Sequence, residues 1–306
     1  MSTTDAQTRK VPLPLAAVKA LRPKQWTKNA FVLAALVFSF EFLDPMQTLR
    51  ALHGVAAFCL ISSTGYLYND IRDREADALH PRKRNRPIAS GALPVSAAWG
   101  VMALTGLAGF GLAFALSPTF ALVAALYFGT TLSYSFYFKH LVILDIMFLA
   151  LGFLWRVVAG AVAIEVWISP WLLMCSGFLA LFLGFNKRRG ELVLLEDDAQ
   201  NHRKNLSEYS PALLDEFQAI TTSGTIICYA LYTVLASPTP LLLATLPFPL
   251  YFIFRYIYLV QQKGEGGDPS VTVFQDRPIL LAGILYGLTT VGILIYSAWE
   301  SGSLKL

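Results

Sequence analysis

Residues Tyr68 to Pro94 read YNDIRDREADALHPRKRNRPIASGALP, and the reading of this stretch decides the reading of the chain. It opens with the pattern N-D-x-x-D-x-x-x-D: Asn69, Asp70, Asp73 and Asp77. On a continuing helix, positions 70, 73 and 77 stand at i, i+3 and i+7 and project from one face. Three aligned carboxylates repel one another unless a cation lies between them. Hard oxygen donors of this kind favour Mg²⁺, which binds through one or two carboxylates plus substrate phosphates. Arg82, Lys83, Arg84 and Arg86 follow at once, a basic cluster suited to phosphate oxygens. A metal trap beside a phosphate clamp points to a diphosphate substrate. A charge-balanced loop in water is the plainer reading, but apolar runs on both sides set the stretch at a membrane edge. There, unpaired carboxylates are costly.

The rest of the composition agrees with a membrane setting. The chain has 306 residues, of which 55% are hydrophobic and 14% charged, with a mean hydropathy of +0.54. Soluble domains carry roughly 25% charged residues. Nine apolar segments, at about 29–43, 49–68, 95–116, 119–138, 143–164, 170–187, 212–236, 239–260 and 278–299, read as transmembrane helices. The expected fold class is therefore an all-α membrane protein of nine helices. Residues 1–20 read as a polar lead-in, and residues 21–306 as one transmembrane domain. No apolar stretch directly follows Arg9 and Lys10, so no cleavable signal peptide is expected. Cys59, Cys175 and Cys228 lie in apolar runs at wide spacing and read as core residues.

The basic residues test the span count. With nine spans, nearly all Lys and Arg fall on one side: Lys19 to Lys28, the 72–86 cluster, Lys139, Lys187 to Arg189, Arg203, Lys204, Arg255, Lys263 and Arg277. Arg50 and Lys305 fall on the other. The positive-inside rule then predicts a cytoplasmic N-terminus in the cytoplasmic (inner) membrane, with the long loops 69–94 and 188–211 on the cytoplasmic face. The net charge of +4 is spread over loops flanking the membrane, which argues against a nucleic-acid partner.

Further constellations lie at the same edge. Asn186-Lys187-Arg188-Arg189-Gly190-Glu191, followed by Glu196-Asp197-Asp198, reads as a second acidic and basic station on a continuing helix. Flanking charges with helix salt bridges are the simpler alternative. Tyr134 and Lys139 end the fourth span, where interfacial tyrosine and snorkelling lysine are common. Asp145 and Arg156 lie about three turns apart on the fifth span. An arginine at that depth needs a partner, either Asp145 or a substrate phosphate. Asp276-Arg277-Pro278 opens the last span as a cap with proline in the first turn.

These residues resemble the UbiA superfamily of intramembrane prenyltransferases, through the span count, the Asn69 to Asp77 motif, the end of span four and the second station. Within it the chain is most similar to the decaprenyl-phosphate phosphoribosyltransferase branch. That likeness rests on Arg22-Pro23-Lys24-Gln25-Trp26-Thr27-Lys28-Asn29, on His80 to Gly91, on Lys187-Arg188-Arg189-x-Glu191-Leu192 and on Asp276-Arg277-Pro278. Lys187-Arg188 with a lone Glu191 replaces the second D-x-x-x-D of the aromatic prenyltransferases.

The resemblance implies a UbiA-like bundle with a cytoplasmic-facing site. It also implies transfer of 5-phosphoribosyl from 5-phosphoribosyl 1-diphosphate (phosphoribosyl diphosphate) to a polyprenyl phosphate, with release of diphosphate. On that reading Asp70, Asp73 and Asp77 hold Mg²⁺ and, with Lys187 and Glu191, form the catalytic set. Lys24, Lys28, Lys83, Arg86, Lys139, Arg156 and Arg188 are candidate phosphate ligands, with Asn29, Asn69 and Tyr134 beside them. The polyprenyl tail is expected in a groove open to membrane lipid, and a homo-oligomer is compatible with the sequence. Two rivals stand: prenyl transfer from a polyprenyl diphosphate to an aromatic acceptor, and a lipid-phosphate transporter. Charges crowding one face and the lack of a convincing internal repeat disfavour the transporter.

Overall fold

A computed structural model describes residues 12–81, 83–194, 206–264, 272–273 and 275–300. Among these residues the structure is helical throughout, with no strand. A short helix α1 (Leu13–Ala20) leads into a 3₁₀ stretch (Pro23–Leu33) and α2 (Ala34–Phe38). Then come α3 (Pro45–Arg72), α4 (Arg74–Leu79), α5 (Val95–Leu116), α6 (Pro118–Phe136), α7 (Leu144–Ala163) and α8 (Pro170–Leu194). After α9 (Pro211–Leu235), α10 (Pro247–Gln262) follows a 3₁₀ turn (Pro240–Thr245), and α11 (Arg277–Glu300) ends the order.

A polar cap followed by proline starts several of these helices. Asp44 caps α3, accepting from the Met46 N–H at 2.7 Å. Ser117 caps α6 through the Phe120 N–H at 3.0 Å, and Ser210 caps α9 through the Leu213 N–H at 3.2 Å. In each case the next residue is proline, whose missing N–H costs nothing in a first turn.

Among the described residues seven helices are long and apolar enough to cross a membrane: Pro45–Arg72, Val95–Leu116, Pro118–Phe136, Leu144–Ala163, Pro170–Val193, Pro240–Gln262 and Arg277–Glu300. Two expected spans differ. α9 has 25 residues but is less apolar, since it carries Asp215, Glu216 and a run of threonines. The segment expected at 29–43 is no continuous helix: the 3₁₀ stretch gives way to a five-residue α2. The 3₁₀ stretch is tied sideways. Trp26 Nε1 donates to Ser63 Oγ at 3.0 Å, and Asn29 Nδ2 reaches Cys59 Sγ and Ser62 Oγ at 3.3 Å. Residues 13–20, expected as part of a polar lead-in, form a helix that buries Ala16 and Ala20 against Leu67, Ile88 and Leu93.

The main core joins α2, α3, α6 and α7 around Phe58, Phe120, Tyr127 and Ala161. Helices in lipid gain from close packing more than from leaving water. Gly160 shows how close the approach is: a Cβ there would lie 2.0 Å from the Val32 carbonyl oxygen. Leu104, Leu107 and Phe114 on α5 face outward, as a lipid-facing helix requires.

Candidate functional site

The first acidic station sits where α3 ends. The helix breaks at Asp73, whose backbone (φ −90, ψ 10) caps α3, and α4 starts one residue later. The three aspartates therefore do not form one face of a single helix, as their spacing predicts. Asp70 and Asp77 are buried, and one nitrogen joins them: Arg86 Nη1 lies 3.1 Å from Asp70 Oδ1 and 2.5 Å from Asp77 Oδ2. Arg22 also pairs with Asp70, reaching it from a left-handed backbone position (φ 55) with its guanidinium 5.1 Å above the Tyr66 ring. Lys83 Nζ stands 3.9 Å from Asp77. Asp73 turns away, toward Arg72 Nε at 3.0 Å and Lys139 Nζ at 3.7 Å. Arg82 lies outside the described residues.

The donors fit a hard divalent cation. Asp70 and Asp77 already share one positive centre, and the adjacent Asn69 Oδ1 is a buried oxygen with no hydrogen-bond partner. Among the described residues no group of three His, Cys, Asp or Glu side chains forms a cluster able to hold a metal ion. What the two buried carboxylates bring together is a pair of hard oxygen donors around one positive centre, with Asn69 next to Asp70 in the chain.

The second station lies on α8, which runs on past residue 187 to Leu194. Arg188 is buried there at 2% exposure. Its Nε and Nη2 both lie 2.9 Å from Asp145 Oδ2, and its Nη1 donates to Glu191 at 2.6 Å. Lys187 Nζ lies 4.0 Å from Glu191, and Tyr134 is close enough to interact electrostatically with Arg188. On the far side of Asp145, the Tyr209 hydroxyl donates to Oδ1 at 2.9 Å and accepts from the Ile143 N–H at 2.6 Å. Burial pushes the Tyr209 phenol above its ordinary value, so it stays a neutral donor. Glu196, Asp197 and Asp198 lie outside the described residues.

The two stations meet at the α6–α7 connection. Arg72 Nη2 donates to the Ser135 carbonyl at 3.0 Å, and Lys139 faces Asp73. Tyr134 and Ile143, on the same segment, face the second station.

The remaining candidates spread out. Lys24 is exposed, and Lys28 is half-buried. Asn29 is fully buried, its Oδ1 accepting from Arg156 Nε at 2.8 Å. Arg156 uses its other nitrogens on the Gly152 carbonyl and the Tyr127 hydroxyl, both at 2.8 Å, and stacks 4.6 Å from the Tyr127 ring. Asp145 is thus not its partner. Arg156 ties the 3₁₀ stretch to α6 and α7 inside the bundle. Asp276 caps α11 through the Ile279 N–H at 2.9 Å. The Arg255 hydrogen bond, helped by that N–H, holds its carboxyl below the usual range.

Between the 3₁₀ stretch, α2, α8, α9, α10 and α11 lies an apolar cavity of about 280 Å³, lined by Phe31, Phe38, Leu179, Phe252 and Tyr286 among others. Sequence reasoning left Arg22 without a role, although it stands in the quoted motif, and it missed Tyr209 altogether. Tyr209 lies 64 positions from Asp145, so no local pattern joins them.

Comparison with known proteins gives a consistent set. Residues 28–275 match the UbiA prenyltransferase family. A protein of Mycolicibacterium smegmatis named decaprenyl-phosphate phosphoribosyltransferase is 34% identical over 297 residues, covering 91% of this chain and 92% of its own. One of the same name from Corynebacterium glutamicum is 35% identical, covering 92% and 88%. Among solved structures, a UbiA homolog from Archaeoglobus fulgidus bound to GPP and Mg²⁺ superposes with a TM-score of 0.70 at 17% identity, over 91% of this chain and 99% of that one. At that identity the likeness carries the fold alone.

Proposed function

The chain belongs to the UbiA prenyltransferase family, and we propose that it transfers 5-phosphoribosyl from 5-phosphoribosyl 1-diphosphate to a polyprenyl phosphate. The observation that carries this reading is the sustained likeness to proteins of that activity, at 34–35% identity over about nine-tenths of the chain. The site's chemistry supports it. At the second station Lys187 stands partly exposed beside Glu191, with Arg188 buried behind it between Asp145 and Glu191. A doubly phosphorylated sugar and a lipid phosphate bring charge that fixed cations stabilise as it develops.

In this reading a lipid phosphate oxygen attacks the anomeric carbon of ribose. The bond from that carbon to the diphosphate oxygen breaks with its electron pair, passing through an oxocarbenium-like state. The nucleophile is already anionic, so no strong general base is required. Asp70 and Asp77, with Asn69 and Asp73 adjacent, would hold Mg²⁺, which when bound neutralises charge on the departing diphosphate. Lys83, Arg86 and Lys139 stand at the same mouth as phosphate ligands, with Arg22 beside them. The apolar cavity would take isoprene units further along the lipid tail, whose remaining length lies in the bilayer.

The protein is a multi-pass membrane protein of this family, and we read residues 21–306 as one domain onto which α1 also packs. Nine crossings remain the reading that best fits the charges. The 3₁₀ stretch and α2 together hold 11 and 5 residues. At about 2.0 and 1.5 Å per residue these rise roughly 30 Å, of which the part beyond Lys28 covers roughly 18 Å, so that residues 39–43 would complete the crossing of the hydrocarbon core. The stations then face the cytoplasm, with the N-terminus on the same side.

The test is to incubate the purified protein with Mg²⁺, phosphoribosyl diphosphate and polyprenyl phosphates of several lengths. The expected products are a lipid-linked phosphoribose and free diphosphate. Consumption of polyprenyl diphosphate in the presence of an aromatic acceptor, with phosphoribosyl diphosphate left intact, would instead establish prenyl transfer.

A further inference from the structure

Arg188 is easily taken for a phosphate ligand, but its surroundings say otherwise. It is 2% exposed, and two carboxylates, Asp145 and Glu191, neutralise it at 2.9 and 2.6 Å. A guanidinium so enclosed has little charge left to offer a phosphate. What this cluster presents outward is Glu191, whose side chain is 25% exposed, and Lys187 at 38%. The buried part forms a chain that ends on Glu191. The Ile143 N–H donates to Tyr209, Tyr209 donates to Asp145, Asp145 accepts from Arg188, and Arg188 donates to Glu191. Ile143 adopts a left-handed backbone (φ 68), a costly conformation for a β-branched residue. Tyr209 is 4% exposed and packs with Ile146, Phe185 and Leu214, so the chain is anchored in the bundle at its far end.

We infer that Glu191 is the acceptor for the ribose hydroxyls of the donor, and that Arg188, Asp145 and Tyr209 are positioning residues that aim its carboxylate. Glu191 gives Oε2 to the fixed guanidinium and turns Oε1, with the Lys187 ammonium 4.0 Å away, toward a pair of hydroxyl donors, a common way to recognise a sugar diol. A prenyl diphosphate has no such hydroxyls, so the residue selects for a sugar donor. This rests on the phosphoribosyl reading and names what the second station holds.

The experiment compares 5-phosphoribosyl 1-diphosphate with its 2-deoxy and 3-deoxy analogues, by kcat/KM, in the unmodified protein and in three variants. Loss of a hydrogen bond to a charged group lowers kcat/KM by about ten- to over a hundredfold. The unmodified protein should discriminate against at least one deoxy donor on that scale. Glu191→Gln should lose most of that discrimination, beyond the intrinsic reactivity difference common to all the proteins. Tyr209→Phe keeps the packed ring, and should lose part of it. Lys187→Ala should slow all three donors alike and leave the ratio unchanged. If Glu191→Gln and Tyr209→Phe slow every donor equally, the assignment to ribose hydroxyls is overturned while phosphoribosyl transfer stands. An unmodified protein that leaves all three donors intact overturns the phosphoribosyl reading and this inference with it.

Discussion

One nitrogen of Arg86 holds both Asp70 and Asp77, and that contact ranks the three aspartates. The two buried carboxylates share a positive centre. Asp73 lies apart with Arg72 and Lys139. Asp70→Asn and Asp77→Asn should each lower turnover by about 10²-fold or more, the usual loss for a contact to developing charge. Asp73→Asn should cost clearly less. Steady-state rates over a Mg²⁺ titration check this, and equal losses in all three variants would return Asp73 to the metal set. Lys187 is the clean probe of donor phosphate. Lys187→Ala should raise the donor KM by about tenfold or more with the lipid KM unchanged. Arg188→Ala would strand Asp145 in the bundle, so its effect mixes with folding.

The residue types at this site were legible from spacing, whereas their pairings were not. Asp145 and Arg156 share α7, and the spacing offers Arg156 either Asp145 or a substrate phosphate as its partner. The actual partners are Arg188 on α8 for the first and Asn29 on the 3₁₀ stretch for the second. Contacts 43 and 127 positions apart leave no trace in a local pattern.

At the scale of elements, the long apolar runs were readable because each carries its own hydropathy signal, whereas the Asp-Pro and Ser-Pro caps come with the structure. The first crossing was harder. Its polar residues serve side-chain bonds to α3 and α7, and its backbone is 3₁₀ where an apolar run suggests α-helix. Gly160 fixes that element against α7, since a Cβ would lie 2.0 Å from the Val32 carbonyl oxygen, a backbone atom with little room to yield. Gly160→Ala should therefore destabilise the protein, by about 1–3 kcal/mol if the two elements must part. Gly111→Ala, on a helix where a Cβ meets nothing within 4 Å, is the control and should be neutral or slightly stabilising. Thermal unfolding in detergent decides it, and an unchanged midpoint for Gly160→Ala would show that the close approach relaxes freely.

For the molecule as a whole, sidedness is the property that both stations depend on, and charge is what sets it. Asp70, Asp77, Arg86, Lys187 and Arg188 all gather at one end of the bundle around the α6–α7 connection. The opposite end carries the half-exposed Arg50, which pairs with Glu165 and caps α7 through the Ala163 carbonyl at 2.8 Å. Moving the basic end outward would oppose the orientation that flanking Lys and Arg impose during insertion. A single cysteine placed at Ala78, exposed on α4, should then react in intact cells only with a membrane-permeant maleimide. A cysteine at Pro238, exposed in the turn after α9, should react with an impermeant one. The native Cys59, Cys175 and Cys228 are buried and should add little background. The reverse labelling pattern would put the stations outside the cell and make any soluble cytoplasmic donor inaccessible to them. Impermeant labelling at both positions would break the nine-crossing reading, because α4 and the turn after α9 must then lie on the same side.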